Sequence, residues 1–370
     1  MFTARQSTHR RTALSLCVGL ALLSVACGGS VPIERSATVD GAEFSVQAWV
    51  YSPEVGDALF EEMLDRVTRF SKMTATASPS DLAEINRGAR SGFHTIDDPD
   101  LYRCILLAYD WAKASRGASD PTLGPLHDAY RFAVERGRIP GRAEIDSRLD
   151  VIGWRRMTVA HEAKAIRLDN LEAYLDLAGV RRGFALDLAA RALATSGVHG
   201  GLLRFGSTTY AWVPPPDQED WPVPILDPSD RGSTLMTLRT SERAISVTGS
   251  PADSTAIDDR YLYERLDGRT GLPAVTQILA AVALADSAAE ADAIADAFYV
   301  GGYRPAAALL ERSRRVEAVL YLRTDEGPTL LASASLRGRI EPHEKLAAAV
   351  GDRIRYILPP QSIAVLPDVR

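Results

Sequence analysis

Residues 278–300 read ILAAVALADSAAEADAIADAFYV, a short apolar run followed by a longer alanine-rich stretch. We predict a buried strand over 278–284 and a helix over 288–300, since strands are short and helices keep polar residues at helical spacing. Asp292 and Asp296 stand four positions apart and share one face of this helix, among alanine, isoleucine and aromatic residues that indicate burial. Because like charges repel, a cation, an arginine or water must compensate for them.

The neighbouring segments extend this pattern over the whole chain. A hairpin is predicted around Asp40 and Gly41, and one strand over residues 201–213. Residues 165–180 also read as strands, and the proline-rich stretch 214–232 reads as irregular. Further strands are predicted at 261–266 and 316–323, and helices at 56–70, 81–87, 99–115, 181–198 and 305–314. Strands and helices mix without strict alternation, which favours an α+β fold with mixed or antiparallel sheets packed against helices.

Composition sets outer limits on size and partners. The chain has 370 residues, of which 46% are hydrophobic, so it is long enough for one compact domain with a large core. It carries 42 basic and 48 acidic residues, a formal net charge of -6, and no lysine-rich block. Nothing in this balance suggests that the chain binds nucleic acid.

The first residues predict export. A basic segment and a short apolar run form a signal peptide over residues 1–26, and small residues precede Cys27 as in the lipobox of bacterial lipoproteins. We therefore expect Cys27 to carry a lipid that anchors the chain to the membrane, facing the periplasm, with a linker over 27–35. Cys104 then remains as a buried thiol.

Four stretches carry more polar or conformationally special residues than packing requires. The loop GASDPTLGPL, residues 117–126, holds Asp120 and Thr122 in fixed turns, although, taken alone, this stretch favours a plain structural turn. The stretch LDLAGVRRGFALD, residues 175–187, leads into a helix whose first N–H groups form an anion site, to which Arg181 or Arg182 adds charge.

The other two stretches lie in the last third of the chain. YERLDGRTGLPA, residues 263–274, displays Asp267, Arg269 and Thr270 together in a turn. The alternative is that this stretch is only a hairpin turn on the surface. Asp292 and Asp296 are hard oxygen ligands of the kind Mg²⁺ accepts, the alternative being a solvated acidic face. CxxC, HExxH and GxSxG are absent, and the contexts of His161, His199 and His343 argue against a histidine-centred site.

Taken in order, these stretches resemble the FAD:protein FMN transferase family of ApbE-like proteins, which are commonly exported lipoproteins. The carrying segments are FSKMTATASPSDLAEIN (70–86), GASDPTLGPL, LDLAGVRRGFALD and EADAIADAFYVGG (290–302). The resemblance implies an ApbE-like domain over 36–325, followed by a C-terminal extension over 326–370. On this resemblance, the chain is expected to be a divergent member of the family.

The resemblance implies Mg²⁺-dependent transfer of the FMN moiety of FAD to a threonine of an exported acceptor protein, with release of AMP. It implies metal ligands at Gly179, Asp292 and Asp296. The residues that it places around FAD are Met73, Asp120, Thr122, Asp176, Arg182 and Thr270. It implies Glu264, Asp267 and Arg269 as catalytic residues.

Several positions depart from the family pattern. The family histidine that takes the acceptor's proton is here Glu264, which acts as a base only if burial raises its pKa toward the working pH. The family's metal-binding threonine is Asp296, its lysine is Arg182, and an acid is lost at Thr208. Two alternatives therefore stand beside transfer: a catalytically silent flavin-binding lipoprotein, and a pyrophosphatase that splits FAD into FMN and AMP.

Overall fold

The computed structural model describes residues 30–193, 198–215, 217–228, 230–249, 254–257, 260–263, 265–312 and 316–357. The predicted signal peptide, Cys27 and Glu264 lie outside these residues.

The described elements alternate irregularly along the chain. The helices are α1 (Pro53–Met73), α2 (Asp81–Ala89), α3 (Pro99–Ala114), α4 (Gly124–Val134), α5 (Arg142–Leu149), α6 (Arg181–Leu193), α7 (Ala288–Gly301), α8 (Tyr303–Arg312) and α9 (Glu344–Val350). The strands in the first half are β1 (Val31–Val39), β2 (Ala42–Val50), β3 (His94–Thr95), β4 (Met157–Ala160), β5 (Ala165–Leu168), β6 (Gly200–Phe205) and β7 (Thr208–Ala211). Those that follow are β8 (Trp221–Asp227), β9 (Asp230–Thr240), β10 (Arg243–Thr248), β11 (Ser254–Ile257), β12 (Arg260–Tyr263), β13 (Leu266–Asp267), β14 (Leu272–Pro273), β15 (Ile278–Ala285), β16 (Glu317–Thr324), β17 (Gly327–Ser333), β18 (Ile340–Pro342) and β19 (Ile354–Ile357).

A nine-stranded sheet organises the described part of the chain, in the order β1-β2-β6-β7-β10-β15-β16-β17-β19. Neighbouring strands are antiparallel except β17 and β19, which are parallel. The predicted hairpin is confirmed, since β1 and β2 meet at Asp40 and Gly41, whose φ angles of 49° and 74° define a tight turn. The α+β prediction is confirmed.

Both faces of this sheet are covered. On β15, Ala281 and Ala283 belong to the core shared with α1, α3, α6 and α7, whereas Val282 and Leu284 belong to a second core. That second core includes β8, β9 and α9, which cover the other face. The alternation follows from the two-residue period of a strand, and its result is a sheet between a helical layer and a smaller layer.

Helix α7 lies at the centre of the helical layer. Twelve of its fourteen residues are buried, including Asp292 and Asp296. A helix that is apolar on nearly all sides must be surrounded by protein, and α7 packs against α6, α3, β10 and β15. The predicted helix at 288–300 is confirmed, and both carboxylates lie inside the protein rather than on a solvated face.

Three segment predictions are wrong in detail. Residues 201–213 form the hairpin β6-β7 with Gly206 at the turn, not one strand. The proline-rich stretch contains β8, in which Pro222 and Pro224 take the exposed positions of an edge strand and so cost no ladder hydrogen bond. Residues 169–180, after β5, are irregular rather than strand.

Regular structure continues past both sequence-based boundaries of the domain, which stay predictions. β1 begins at Val31, within the range assigned to the linker. β17, β18, α9 and β19 lie beyond Asp325, and β17 pairs directly with β16. Across the described residues, no helix has both the length and the apolar character of a membrane span.

Candidate functional site

One pocket gathers residues from segments that are far apart in sequence. The loop before α4, the irregular segment before α6, the second half of α7 and the start of β13 form its walls. Its polar lining residues are Ser119, Asp120, His127, Asp176, Arg265 and Asp296, and Gly179 lies beside them. Three of the four stretches singled out in the sequence therefore meet at this pocket, and the fourth, at 263–274, contributes Arg265 and Leu266.

Asp296 is the α7 carboxylate on the pocket wall. Its Oδ1 accepts a hydrogen bond from Thr248 Oγ1 at 2.8 Å and lies 2.7 Å from Arg265 Nε. Its Oδ2 occupies the space that a side chain at Gly179 would fill, 2.8 Å from where a Cβ would stand. An arginine thus supplies positive charge at Asp296, and a glycine leaves room for the carboxylate.

Asp292 is buried to the same degree as Asp296, but it does not line the pocket. Its Oδ2 accepts the Gly183 N–H at 2.7 Å, and its Oδ1 accepts the Thr208 hydroxyl. Burial raises the pKa of Asp292 to about 6, against the lowering effect of the donors from Ser246, Thr208 and Gly183, and the charge of Asp296 raises it further. The residue predicted as the leading metal ligand is therefore held by protein donors.

The starts of α6 and α7 are joined by reciprocal hydrogen bonds. Asp187 on α6 accepts the N–H groups of Ala288 and Ala289 at 2.7 and 3.0 Å, while Asp292 on α7 accepts that of Gly183. A Cβ at Gly183 would lie 2.2 Å from the Ala288 carbonyl oxygen, so only glycine permits this approach. Each helix thus provides an anion for the other's unpaired N–H groups.

The anion site predicted at the start of α6 is therefore partly filled by the protein's own carboxylate. Arg181 forms an ion pair with Asp40 in the β1-β2 turn, and the Arg182 side chain lies 3.6 Å from the position of a Cβ at Gly206. Neither arginine lines the pocket. The charged fork predicted here contacts two hairpin turns instead.

Asp120 and Thr122 brace the loop before α4. Asp120 accepts hydrogen bonds from the Thr122 N–H and hydroxyl at 2.9 and 2.7 Å, and from the Trp154 N–H at 2.8 Å. Thr122 in turn accepts the Gly153 N–H at 2.7 Å. Burial raises the pKa of Asp120 despite these donors. Asp120 lines the pocket and Thr122 does not, so the structural explanation accounts for the threonine.

Asn86 positions the irregular segment before α6. Its side-chain amide donates to the Leu175 carbonyl at 3.0 Å and accepts the Leu175 N–H at 2.8 Å. One residue on, the Asp176 N–H donates to Pro121 O at 2.8 Å. Asn86 is the last residue of the segment 70–86 that carries the resemblance, and its buried position in α2 explains why that segment includes an asparagine.

His127 and Asp176 form a pair that sequence analysis missed. His127 Nδ1 lies 2.8 Å from Asp176 Oδ2, and both residues line the pocket. Burial alone would raise the pKa of Asp176, but the hydrogen bond and charge of His127, the Ala178 N–H and Arg181 lower it overall. The available signal was a histidine directly after the Asp-Pro-Thr loop, but its carboxylate partner is 49 residues away.

The remaining predicted site residues lie outside the pocket lining. Asp267 and Arg269 form a two-pronged ion pair, with Nε and Nη2 each 2.8 Å from a carboxylate oxygen, inside the β13-β14 turn. Thr270 is exposed in that turn, and Met73 packs against the helical core at the end of α1. Arg269 Nη2 also donates to the Val300 carbonyl at 3.2 Å, and the Tyr130 hydroxyl donates to Gly271 O at 2.9 Å, so the turn is attached to α7 and α4 and is more than a surface hairpin.

One carboxylate of the pocket, that of Asp296, is suited to bind a divalent cation. Within the described residues, no group of three or more His, Cys, Asp or Glu side chains is arranged to hold a metal. Mg²⁺ does not need one, because one or two carboxylates with phosphates and water complete its shell. The described lining carries three carboxylates against one guanidinium, and Asp296 Oδ2 lies beside Gly179 with no hydrogen bond among the described contacts. These features suit a cation at Asp296, although Arg265 competes for it.

Comparison with known proteins identifies the family. The model of the ApbE family matches residues 41–320. The chain belongs to the ApbE family. Its relatives include the FAD:protein FMN transferases of Vibrio cholerae, 23% identical over 86% of this chain and 97% of theirs, and of Treponema pallidum, 26% identical over 85% and 91%. The predicted membership of this transferase family is confirmed.

Solved structures of ApbE proteins share the fold. The flavin transferase ApbE of Vibrio cholerae superposes with a TM-score of 0.73 at 20% identity, covering 84% of this chain and 99% of that protein. The ApbE protein of Thermotoga maritima gives a TM-score of 0.73 at 21% identity, with 84% and 99% covered. At this identity, the likeness supports the architecture of the sheet and its helices.

Proposed function

We propose that this chain transfers the FMN moiety of FAD to a threonine of an exported acceptor protein and releases AMP. The observation that carries the proposal is the convergence of the loop before α4, the segment before α6 and α7 on one pocket. The curated relatives are named for this reaction type, and they match nearly the whole length of the domain. The threonine acceptor and the release of AMP are further steps taken from the resemblance.

The proposed reaction exchanges one phosphate bond for another. The threonine oxygen forms a bond to the FMN phosphorus of FAD, the bond from that phosphorus to the AMP oxygen breaks, and AMP leaves. Asp296 and the backbone near Gly179 would hold a Mg²⁺ ion, which would offset the charge that develops on the phosphate. Arg265, beside Asp296, adds a second positive charge near the same wall.

The surrounding residues keep this wall in place. Thr248 and Arg265 fix Asp296, and Asp292 and Asp187 lock α7 against α6. Asn86 donates to Leu175 O, and Asp120 and Thr122 accept the N–H groups of Trp154 and Gly153, which holds the segment before α6 and the loop before α4. Positioning of this kind is the larger part of catalysis in phosphoryl-type transfer, because the protein contributes little covalent chemistry.

Intact mass spectrometry tests the proposal. Purified chain, FAD and MgCl₂ are incubated with synthetic peptides that carry one central threonine in varied contexts, and we expect an FMN adduct on a subset of peptides. Release of FMN and AMP without an adduct would indicate the pyrophosphatase, and unchanged FAD with retained binding would indicate the silent binding protein. Asp296→Asn should lose the adduct, whereas Asp286→Asn, at an exposed aspartate paired with Arg243, should keep it.

We further propose that the chain is a lipoprotein of the periplasmic face of a bacterial membrane. The support is the signal-like pattern of residues 1–26 and the small residues before Cys27. Expression of the full chain with labelled palmitate should label the membrane-bound protein. Cys27→Ser should abolish the label and release the chain from the membrane fraction; equal labelling of the variant would exclude lipidation at Cys27.

A further inference from the structure

The structure places a histidine-carboxylate pair on the pocket wall, and we propose that His127, oriented by Asp176, is the general base that accepts the proton of the acceptor's threonine. The inference rests on the proposed function and deepens it. In the family, a histidine takes the acceptor's proton, and Glu264 stands at its position in this chain. The proposal gives that role to His127.

The geometry of the pair fixes which nitrogen can act. Asp176 is half-buried, its Oδ1 accepts the Ala178 N–H at 2.9 Å, and its Oδ2 faces His127 Nδ1 at 2.8 Å. An ionised Asp176 has no proton to give, so Nδ1 of a neutral His127 must donate. That tautomer leaves Nε2 as an unprotonated base, the arrangement by which a carboxylate orients a catalytic imidazole.

The position of His127 brings it to the reacting region. His127 lies in the first turn of α4, where its N–H donates to Leu123 O at 2.9 Å, so the braced loop sets its backbone. Arg265 and Leu266, which follow Glu264 in the chain, line the same pocket as His127. His127 therefore lines the same pocket as the two residues that follow the position of the family histidine.

The other described acids of the pocket are engaged. Arg265 and Thr248 hold Asp296, and Asp120 receives three hydrogen bonds from Thr122 and Trp154. Asp296 is the carboxylate assigned to the cation, and Asp120 braces its loop through three accepted hydrogen bonds, so both are committed to other roles. Among the described residues that line the pocket, His127 is the one histidine, and histidine is the side chain that most often serves as a general base.

The step balances as a simple proton transfer. Nε2 of His127 takes the hydroxyl proton while the threonine oxygen bonds to the FMN phosphorus. The bond between that phosphorus and the AMP oxygen breaks, and AMP leaves with the bonding electron pair. His127 then returns its proton to solvent, and no oxidant, reductant or further reactant is required.

The test compares three variants with the wild-type chain, with FAD, MgCl₂ and threonine-centred peptides as probes. His127→Gln should lower the rate of FMN transfer by about 10²-fold to 10⁴-fold, the range lost with a general base. FAD affinity, measured by flavin fluorescence, should stay at the wild-type value. His199→Gln, an exposed histidine that contacts Tyr51 in another part of the molecule, should transfer at the wild-type rate.

Two further measurements separate catalysis from structure. Imidazole added to His127→Ala should restore part of the rate, and Asp176→Asn should lower the maximal rate more than it changes the KM for FAD. The fall in rate at acid pH should disappear in His127→Gln and persist in Glu264→Gln.

The outcomes are separable. Wild-type transfer together with full activity of His127→Gln would overturn the role of His127 and leave the proposed function intact. Loss of the acid limb in Glu264→Gln, with the limb kept in His127→Gln, would assign the base to Glu264. Failure of the wild-type chain to transfer FMN to any peptide, or to water, would overturn the proposed function and the base together.

Discussion

Nε of Arg265 lies 2.7 Å from Oδ1 of Asp296, so a guanidinium neutralises a carboxylate on the wall where the family resemblance expects a metal ligand. From the sequence, a cation, an arginine or water could compensate the charge of the paired aspartates. In the structure, an arginine compensates the charge of Asp296, and hydrogen bonds from the protein stabilise Asp292. A cation that binds Asp296 must therefore compete with Arg265.

We expect Arg265→Leu to raise the affinity of the chain for Mn²⁺, used as a probe for Mg²⁺. Removal of the guanidinium frees Asp296 Oδ1 and removes a positive charge next to the cation, for which a gain of at least about tenfold is expected. Calorimetry or the electron paramagnetic resonance of free Mn²⁺ measures it. Arg269→Leu, in the same turn but paired with Asp267, is the matched control. Equal affinities in all three proteins would mean that Arg265 does not compete with the metal.

Gly183→Ala should destabilise the protein because the added methyl group meets the backbone of α7. The Ala288 carbonyl oxygen would lie 2.2 Å from the new Cβ, so α6 and α7 must separate. We expect a loss of about 1–3 kcal/mol or more in the free energy of unfolding, as for overpacked cores. Gly141→Ala, where a Cβ would meet no atom within 4 Å, should lose less than about 1 kcal/mol in urea unfolding. Similar losses at both positions would contradict a tight contact.

Asp187 should make stability depend on pH. Burial raises its pKa from 3.8 to about 6, although the Ala289 and Ala288 N–H groups lower it. Between these values the folded chain keeps a proton that the unfolded chain has lost. The contribution to the free energy of unfolding is therefore full below about pH 4 and disappears as pH rises through about 6, a change of at most about 3 kcal/mol.

The measurement is urea unfolding of wild type and Asp187→Asn from about pH 3.5 to about pH 7. Because asparagine does not titrate, the stability of wild type relative to the variant should fall as pH rises through this window. Asp286→Asn, at an exposed aspartate, should track the wild-type profile. A constant difference between wild type and Asp187→Asn would show that Asp187 has an ordinary pKa in the folded protein.

Thr122→Val should loosen the loop before α4. Valine keeps the shape but removes the hydroxyl that donates to Asp120 and accepts the Gly153 N–H. A buried N–H left without a partner costs about 1–3 kcal/mol, which thermal or urea unfolding detects. Thr95→Val, at an exposed position in β3, should cost less than about 0.5 kcal/mol. If Thr122→Val were as stable as wild type, water would have to replace the hydroxyl.

The sequence predicts the elements of this fold well where the local pattern is strong. The β1-β2 hairpin follows from Asp40-Gly41, and α7 follows from its alanine-rich helical spacing. β8 is missed because its prolines mimic a loop, and they are tolerated only because β8 is an edge strand. Position within a sheet is tertiary information, which a local pattern does not contain.

The site residues, too, are predicted where a local motif marks them and missed where they meet only through folding. The motifs containing Asp120, Asp176 and Asp296 indicate residues that the fold brings together, whereas Asp292, Thr122 and Arg182 lie beside the pocket. Arg265 and His127 are missed because their partners, Asp296 and Asp176, are 31 and 49 positions away. Side chains that meet through folding carry no local signature, so the geometry had to supply them.

The reciprocal bonds between α6 and α7 also constrain how the chain folds. Their partners are separated by 101 and 109 residues, so neither helix start is satisfied until a very long loop has closed. Contacts of such high sequence separation slow folding and make it cooperative. A nascent or truncated chain that stops before α7 therefore has α6 without its partner and lacks one wall of the pocket, so the site forms late and as a unit.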